Sequence, residues 1–109
     1  MKKIKVNELT PNSTVLLNGY LDLYRFVNGG VMFYKPGELS FPSAVHVHET
    51  EEVFIYLQGQ GTLIINGNDY LVQAGDVAIV ESGEEHHTRS SVEFPLVVAW
   101  LETHKPEGD

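Results

Sequence analysis

The chain of 109 residues contains no cysteine. Thiolate metal ligands and a cysteine nucleophile are therefore excluded, and the absence fits a reducing compartment, so we expect a cytoplasmic protein. Basic residues are also scarce: seven lysines and arginines stand against fifteen aspartates and glutamates, and the formal net charge is −8. The only basic cluster is formed by Lys2, Lys3 and Lys5. We therefore expect neither nucleic acid nor an anionic membrane as a partner.

Long apolar runs are missing as well. No segment approaches the roughly 20 apolar residues that a membrane-spanning helix needs. No apolar stretch of signal-peptide length follows Lys2 and Lys3, so nothing in the sequence indicates export. No window of helical length shows a convincing repeat of 3.6 residues. The length fits a single domain over residues 1–109, and a hydrophobic content of 42% suits a folded core.

Short apolar runs fill most of the chain, rich in β-branched and aromatic residues and bounded by Gly, Pro, Asn or Asp. Asn66-Gly67 is the strongest hairpin signal, because both residues accept φ > 0. Further turns are predicted at 28–30, 58–61 and 74–76. Strands are predicted at 4–8, 15–17, 21–27, 31–34, 44–48, 52–57, 61–65, 69–72, 77–80, 85–90 and 96–101. This pattern predicts an all-β sandwich or barrel, with an amino-terminal strand within about residues 1–9 and a frayed tail at 105–109.

The strand at 52–57 is apolar on both faces. If Glu52 points into the barrel, Phe54 and Tyr56 follow it inward, and the apolar residues between them face outward. An outward apolar stripe needs cover from another strand or another subunit. The amino-terminal strand is a candidate for the first and a two-fold homodimer for the second, and we favour a homodimer.

Histidines and one glutamate carry the strongest functional pattern. His46 and His48 stand two apart on a predicted strand, so their imidazoles project from one face. Glu52 lies a few residues further on, and His86 follows a glycine-containing turn at 81–85. Three neutral imidazoles and one carboxylate that converge on one point are ligands for a first-row transition metal. The pattern predicts a metal site made of His46, His48, Glu52 and His86.

Surface exposure is the alternative interpretation of any single histidine. We adopt it for His87, which points away from His86 on a strand, and for His104. For the four predicted ligands together, the joint spacing argues against it. The remaining acidic residues near the histidines are expected to be solvated loop charges that make the mouth of the site negative. These residues are Glu49, Glu51, Glu84 and Glu85.

The donor set also bears on the identity of the metal. Structural zinc sites are usually closed, tetrahedral and rich in thiolate, so one is not favoured here. Four nitrogen and oxygen ligands leave about two positions of an octahedron for water, dioxygen or a substrate. Manganese, iron, nickel and cobalt suit this set, and copper and zinc stay open. We expect one such ion per chain.

Residues 46–86 resemble the two sequence motifs of the cupin family. The first motif, His-x-His, three or four residues, Glu, six residues, Gly, runs here from His46 to Gly59. The second, Gly, five residues, Pro, one residue, Gly, two residues, His, runs from Gly75 to His86, with Glu81 in place of the proline. The resemblance implies a double-stranded β-helix, a jelly-roll barrel with the metal inside one end. It implies no single activity, since cupins include dioxygenases, decarboxylases, isomerases, lyases and binding or regulatory domains.

Strand parity indicates what surrounds the metal. Phe54, Tyr56 and Thr88 are predicted to line a substrate pocket beside it, and Trp100 is a further candidate whose face is open. For Phe54 and Tyr56, ordinary core packing is an equally good interpretation.

Two arginines are candidates for anchoring a substrate carboxylate, Arg25 and Arg89. Parity places Arg89 on the face opposite His86, where a surface salt bridge is the better interpretation.

Two functions follow from this site. No Ser-His-Asp arrangement, phosphate-binding loop or pair of free carboxylates appears, so the metal would carry any catalysis. The first hypothesis is a metal-dependent oxidoreductase of the dioxygenase type that acts on a small organic molecule, with isomerase, lyase or decarboxylase activity also open. The second is a non-catalytic module that uses the metal to bind or sense a small molecule.

Overall fold

A computed structural model describes residues 1–5, 25–40 and 51–104, without the side chains of residues 25–27 and 104. These residues contain strands and turns and no helix, which confirms the all-β prediction. The strands are β1 (Lys2–Lys5), β2 (Arg25–Phe33), β3 (Glu52–Gln58), β4 (Gln60–Ile65), β5 (Asn68–Gln73), β6 (Asp76–Val80), β7 (His86–Ser90) and β8 (Val97–His104). The predicted strands at 15–17 and 44–48, most of those at 4–8 and 21–27, and the tail at 105–109 lie outside the described residues.

The strands form two antiparallel sheets. One has five strands in the order β1-β6-β3-β8-β2, and the other has three in the order β5-β4-β7. The buried apolar side chains of both sheets meet in an inner core of Tyr56, Leu63, Ile65, Val72, Ala78, Val80, Leu96 and Val98. None of the described residues forms a helix that is long and apolar enough to cross a membrane.

Local signals located several turns correctly. Asn66 and Gly67 have φ values of 49° and 81° and join β4 to β5, with Ile65 paired to Asn68. Positive φ at both positions is the backbone of a tight hairpin turn. Gly59 and Gly75 have φ values of 82° and 93° within the predicted turns at 58–61 and 74–76.

The turn predicted at 28–30 is wrong, because these residues lie inside β2. Gly29 and Gly30 pair with Leu101 and Trp100 of β8. A Cβ on Gly29 would lie 2.8 Å from Leu101 Cδ2, and one on Gly30 would lie 3.3 Å from Trp100 Nε1. The two glycines therefore allow close side-chain packing within a strand and do not reverse the chain.

The two faces of β3 divide as predicted. Phe54 and Tyr56 pack in or against the inner core, whereas Val53 belongs to a second apolar cluster. This outer cluster consists of Val53, Val77 and Ile79, with Ile4, Ile55 and Leu101 packed against it. Ile4 comes from β1, which is hydrogen-bonded beside β6 in the same sheet. Val53 is completely buried within the single chain, so its burial requires no second subunit.

Candidate functional site

A cavity of about 380 Å³ lies at the end of the molecule where β3 and β7 begin. Its volume is within the range of about 300–1,000 Å³ that is usual for small-molecule sites. The wall includes two predicted metal ligands, Glu52 and His86, and three predicted pocket residues, Phe54, Thr88 and Trp100. Apolar surface predominates on this wall. The structure thus brings these five sequence-predicted residues to one cavity.

Glu52 and His86 are the first residues of β3 and β7, and both are almost completely buried, with exposures of 5% and 2%. Glu52 Oε1 lies 3.4 Å from His86 Nε2. This separation exceeds the roughly 2.7–3.2 Å of an ordinary N–H···O hydrogen bond. Two donors that each lie about 2.1 Å from one ion are about 3.0 Å apart at a right angle and about 3.4 Å apart at the tetrahedral angle. The pair therefore fits two ligands of a shared metal ion.

The orientation of the His86 ring also suits a metal ligand. Its Nδ1 lies 3.2 Å from the carbonyl oxygen of Glu84. A neutral imidazole that donates from Nδ1 to this carbonyl presents Nε2 as the acceptor, which is the usual arrangement for a ligating histidine. The ring of Phe54 lies against His86, with 5.8 Å between the ring centroids.

Asn66 holds the segment that leads into His86. Its backbone N–H donates to the carbonyl oxygen of Glu85 at 2.9 Å, and its side-chain oxygen accepts from the Glu85 N–H at 2.9 Å. The hairpin turn and the start of β7 are thereby joined at one residue. This link restrains the position from which the imidazole enters the cavity.

The other two predicted ligands, His46 and His48, lie outside the described residues. Within the described ranges, no group of three His, Cys, Asp or Glu side chains is placed to hold an ion. Of the four predicted ligands, the structure describes Glu52 and His86. The distance between Glu52 Oε1 and His86 Nε2 and the orientation of the His86 ring both fit two ligands of one metal ion. The four-ligand site stays a prediction.

His87 points away from the cavity, as its parity indicates, but it is not fully solvated. Its side chain is mostly buried, with Nε2 at 3.2 Å from Glu85 Oε1 and Nδ1 at 3.2 Å from the Ser40 carbonyl oxygen. The expectation of a free surface imidazole is corrected by these contacts. The side chain of His104 lies outside the description.

The expectation that Glu84 is a solvated loop charge is also corrected. Its carboxylate accepts a hydrogen bond of 2.7 Å from the Glu81 N–H and pairs with the Met1 amino group at 2.9 Å. Glu84 therefore ties the turn before His86 to the first residue of the chain.

Glu102 is a cavity residue that sequence reasoning missed. It lies on β8 directly opposite Glu52 on β3 and lines the same cavity. Its position two residues after Trp100 places both on one face of the strand, so parity was a usable signal. The predicted strand ended at residue 101, one residue too early to include it.

A second missed group comes from the segment at 38–40, which pairs with the free side of β7. The Ser90 N–H donates to the Glu38 carbonyl and the Ser40 N–H to the Thr88 carbonyl, both at 2.8 Å. The Ser40 hydroxyl in turn accepts from the Thr88 N–H at 2.8 Å. These bonds bring Glu38 and Ser40 to the cavity wall. No periodic pattern marks such a loop segment in the sequence.

Tyr34 adds a phenol to this wall. Burial raises the pKa of Tyr34 above its ordinary value, against the lowering effect of hydrogen bonds with Ser40 and Thr88. Its hydroxyl is therefore protonated at neutral pH and lies within hydrogen-bond reach of Ser40 and Thr88. The cavity thus has a small polar side formed by the hydroxyl groups of Tyr34, Ser40 and Thr88.

Tyr56 and the arginines lie elsewhere. Tyr56 was predicted to line the pocket, but it is 1% exposed, belongs to the inner core and is absent from the cavity wall. Burial raises its pKa. Arg89 is exposed and lines a different groove, together with Lys3 and Lys5. The side chain of Arg25 lies outside the description.

Comparison with known proteins identifies the family. The family model described as "Cupin domain" matches residues 30–102. The oxalate-binding protein of Thermotoga maritima is 37% identical over 62 residues, which cover 52% of this chain and 51% of that protein. The chain therefore matches about half the length of this curated relative.

Solved structures show the same fold. A cupin protein from Bacteroides fragilis superposes with a TM-score of 0.64 at 21% identity, over 74% of this chain and 67% of that chain. A predicted oxalate decarboxylase from Thermotoga maritima superposes with a TM-score of 0.53 at 30% identity, over 67% of this chain and 63% of that chain. The family match covers more than half of the sequence, and it includes Glu52 and His86, the two predicted ligands that the structure describes. This chain belongs to the cupin family.

Proposed function

We propose that this protein is a metal-dependent oxidoreductase of the dioxygenase type that acts on a small organic molecule in the cavity between its sheets. The observation that carries the proposal is the buried pair of Glu52 and His86, 3.4 Å apart on the cavity wall. His46 and His48 would complete the ligand set. Manganese, iron, nickel or cobalt is favoured by these nitrogen and oxygen donors, with copper or zinc as alternatives.

The bound ion would supply a Lewis acid, a redox centre and a template for the substrate. The chain itself provides the surroundings. Glu52 contributes a negative charge that offsets part of the charge of a divalent ion. The Glu84 carbonyl holds the His86 ring with Nε2 directed away from it.

The remaining wall residues would bind and orient the substrate. Phe54 and Trp100 offer apolar surface that excludes water from one side of the cavity. The hydroxyls of Tyr34, Ser40 and Thr88 offer hydrogen bonds to polar atoms on the other side. A substrate with one flat apolar part and one polar part matches this division.

A non-catalytic binding module is the second candidate. It is favoured by the similarity to the oxalate-binding protein of Thermotoga maritima, which is 37% identical over 62 residues. Decarboxylation is a further candidate reaction, because a structural neighbour at 30% identity is a predicted oxalate decarboxylase. A binding module and a decarboxylase would both use the same cavity and the same predicted metal ligands as the dioxygenase.

The first experiment is elemental analysis of untagged protein that has been purified without chelator. We expect about one equivalent of a first-row transition metal per chain. A metal-free protein that also fails to take up each ion on reconstitution would contradict the proposal.

Oxygen consumption then separates the dioxygenase from the binding module. Protein loaded with Fe(II) or Mn(II) and offered candidate substrates should consume oxygen through many turnovers. Saturable binding without product would support the binding module.

We also propose a two-fold homodimer formed through the outer face of the five-stranded sheet. Val31 and Phe33 of β2 are 51% and 72% exposed, although both are apolar. Val31 pairs with Ala99 of β8, and Phe33 pairs with Val97. Ala99 also pairs with Ile55 of the outer cluster. Val31 and Phe33 therefore extend the apolar face of that cluster. Light scattering should give twice the chain mass of 12.2 kDa, and Phe33→Ser should lower it. A monomeric mass for the unaltered protein would contradict a dimer.

A further inference from the structure

The charge of the cavity wall is one-sided. Three acidic residues line it, Glu38, Glu52 and Glu102, and none of the described residues on this wall is a lysine or an arginine. The Glu38 carboxylate also accepts a hydrogen bond of 2.8 Å from the Lys35 N–H. A divalent ion bound to Glu52 would leave one positive charge, which the two remaining carboxylates outweigh. The described part of the wall is therefore negative with or without the metal.

The basic residues of the chain are placed elsewhere. Lys2 lies 4.0 Å from Glu81, and both Lys3 and Lys5 pair with Asp76. Arg89 lines the separate groove, and Lys35 is exposed and does not line the cavity. Of the seven basic residues, the two that remain are Arg25 and Lys105, whose side chains lie outside the description.

Aromatic rings accompany the carboxylates. Trp100 stands two residues before Glu102 on the same face of β8, and Phe54 pairs with Trp100 across the β3–β8 ladder. The electron-rich face of an aromatic ring attracts an organic cation, and tryptophan does so most strongly. Rings beside a carboxylate form a surface that suits an ammonium group and opposes a carboxylate.

We propose that the cavity selects an organic ligand that carries an ammonium group, held between Glu102 and the rings of Trp100 and Phe54. The inference rests on the proposed function in that it takes this cavity to be the ligand site. It separates this chain from its oxalate-binding relative, since a dicarboxylate would face Glu38 and Glu102 in addition to the predicted metal ligand Glu52. Glu102 acts here as a specificity residue.

Trp100 makes the inference directly measurable, because it is the only tryptophan in the chain and lines the cavity. Fluorescence titration would compare four probes: benzylammonium, benzyl alcohol, benzoate and oxalate. Each titration is run on metal-free protein and on protein loaded with Zn(II), which is redox-inactive. We expect benzylammonium to bind about fivefold or more tightly than benzyl alcohol, in line with roughly 1 kcal/mol for a cation–π contact, and the two anions to bind most weakly. Tighter binding of benzoate or oxalate than of benzylammonium would overturn the inference.

Glu102→Gln tests the role of the carboxylate, with Glu93→Gln as the matched control. Glu93 is exposed in the segment between β7 and β8, so the control makes the same change of charge outside the cavity. We expect Glu102→Gln to remove the preference for benzylammonium over benzyl alcohol and Glu93→Gln to preserve it. An unchanged preference in Glu102→Gln would contradict the proposal. Glu38→Gln is the second variant if Glu102→Gln does not fold, with a reduced preference expected and an unchanged one contradicting the proposal.

Metal content distinguishes two possible roles of Glu102, ammonium binding and metal ligation. Zinc affinity of Glu102→Gln should fall by only about twofold, because the variant loses a nearby negative charge and no ligand. A loss as large as in His86→Ala would make Glu102 a metal ligand and overturn its role in ammonium binding.

Benzoate binding that is stronger than that of benzylammonium and is lost in Arg25→Met would show a carboxylate ligand anchored by Arg25.

Zinc binding tests the proposed function, and the preference among the probes tests the ammonium proposal. A protein that binds zinc but prefers the anionic probes keeps its metal site and loses the ammonium proposal. A protein that binds no metal but prefers benzylammonium in the metal-free titration loses the metal-dependent function and keeps the charge selection.

Discussion

Glu52 and Glu102 lie directly opposite each other on the antiparallel strands β3 and β8, and both line the same cavity. Carboxylates at facing positions of a sheet repel each other and destabilise the pairing. A cation bound in this cavity offsets the repulsion. A positively charged ligand in this cavity would therefore stabilise the pairing of β3 with β8 at this position.

The first prediction concerns this pair. In metal-free protein, Glu102→Gln should raise the free energy of unfolding by about 0.5 kcal/mol, because it removes the facing charge. In metal-loaded protein the gain should disappear, since the ion already offsets the repulsion. Urea denaturation with and without chelator measures both values. An equal gain in the two states would show that no cation acts on the pair.

The second prediction concerns two adjacent histidines. His86→Ala should abolish most metal binding, because it removes a predicted ligand that is buried on the cavity wall. His87→Ala should retain it, because His87 faces Glu85 and Ser40 on the opposite side of the strand. Metal content after dialysis at fixed free ion measures both. Equal losses in the two variants would contradict the assignment of faces.

The third prediction concerns Asp76, whose side chain is 2% exposed. Burial by itself would raise the pKa of Asp76, but hydrogen bonds from Lys5 and the Gln73 N–H, with the charges of Lys3 and Lys5, outweigh it and hold the pKa below its ordinary value. Lys5 Nζ lies 2.8 Å and the Gln73 nitrogen 3.0 Å from its oxygens. A lowered pKa stabilises the fold above the ordinary aspartate pKa, and this contribution is lost as the pH falls through the folded-state pKa.

Asp76→Asn should therefore cost about 2 kcal/mol at neutral pH, as expected for hydrogen bonds to a charged group. The difference between variant and unaltered protein should shrink as the pH falls below about 4. Urea denaturation across the pH range measures it, and Asp69→Asn at an exposed position of β5 is the control. A difference that does not depend on pH would contradict the assigned cause.

The fourth prediction concerns the neighbouring glycines of β2. Gly30→Ala should press a methyl group against Trp100, whose Nε1 would lie 3.3 Å away, and so shift the tryptophan emission and weaken probe binding. Gly29→Ala should cost more stability, because its Cβ would lie 2.8 Å from the Trp100 carbonyl oxygen as well as from Leu101 Cδ2. Emission spectra and thermal unfolding of both variants check this. A larger loss of stability in Gly30→Ala than in Gly29→Ala would contradict the packing described.

Local chemistry accounts for what could be predicted without the structure. Asn66-Gly67 marked its turn because the φ values that a two-residue hairpin requires depend on those two residues alone. The faces of β3 followed from alternation, so Phe54 and Val53 were assigned to opposite sides. Alternation gives the face of a side chain but not its depth, and Tyr56 accordingly lies in the core and not on the cavity wall.

The remaining features depend on residues that are distant in the chain. Gly29 and Gly30 resemble a turn in sequence, and only their pairing with Leu101 and Trp100 makes them strand residues. The sequence by itself determined the all-β class, the hairpin at Asn66 and the family motifs, because these depend on local propensity and spacing. Only the tertiary structure decided that Glu102 faces Glu52 and that Glu38 lines the same cavity, because strand register and loop docking are set by contacts across the whole fold.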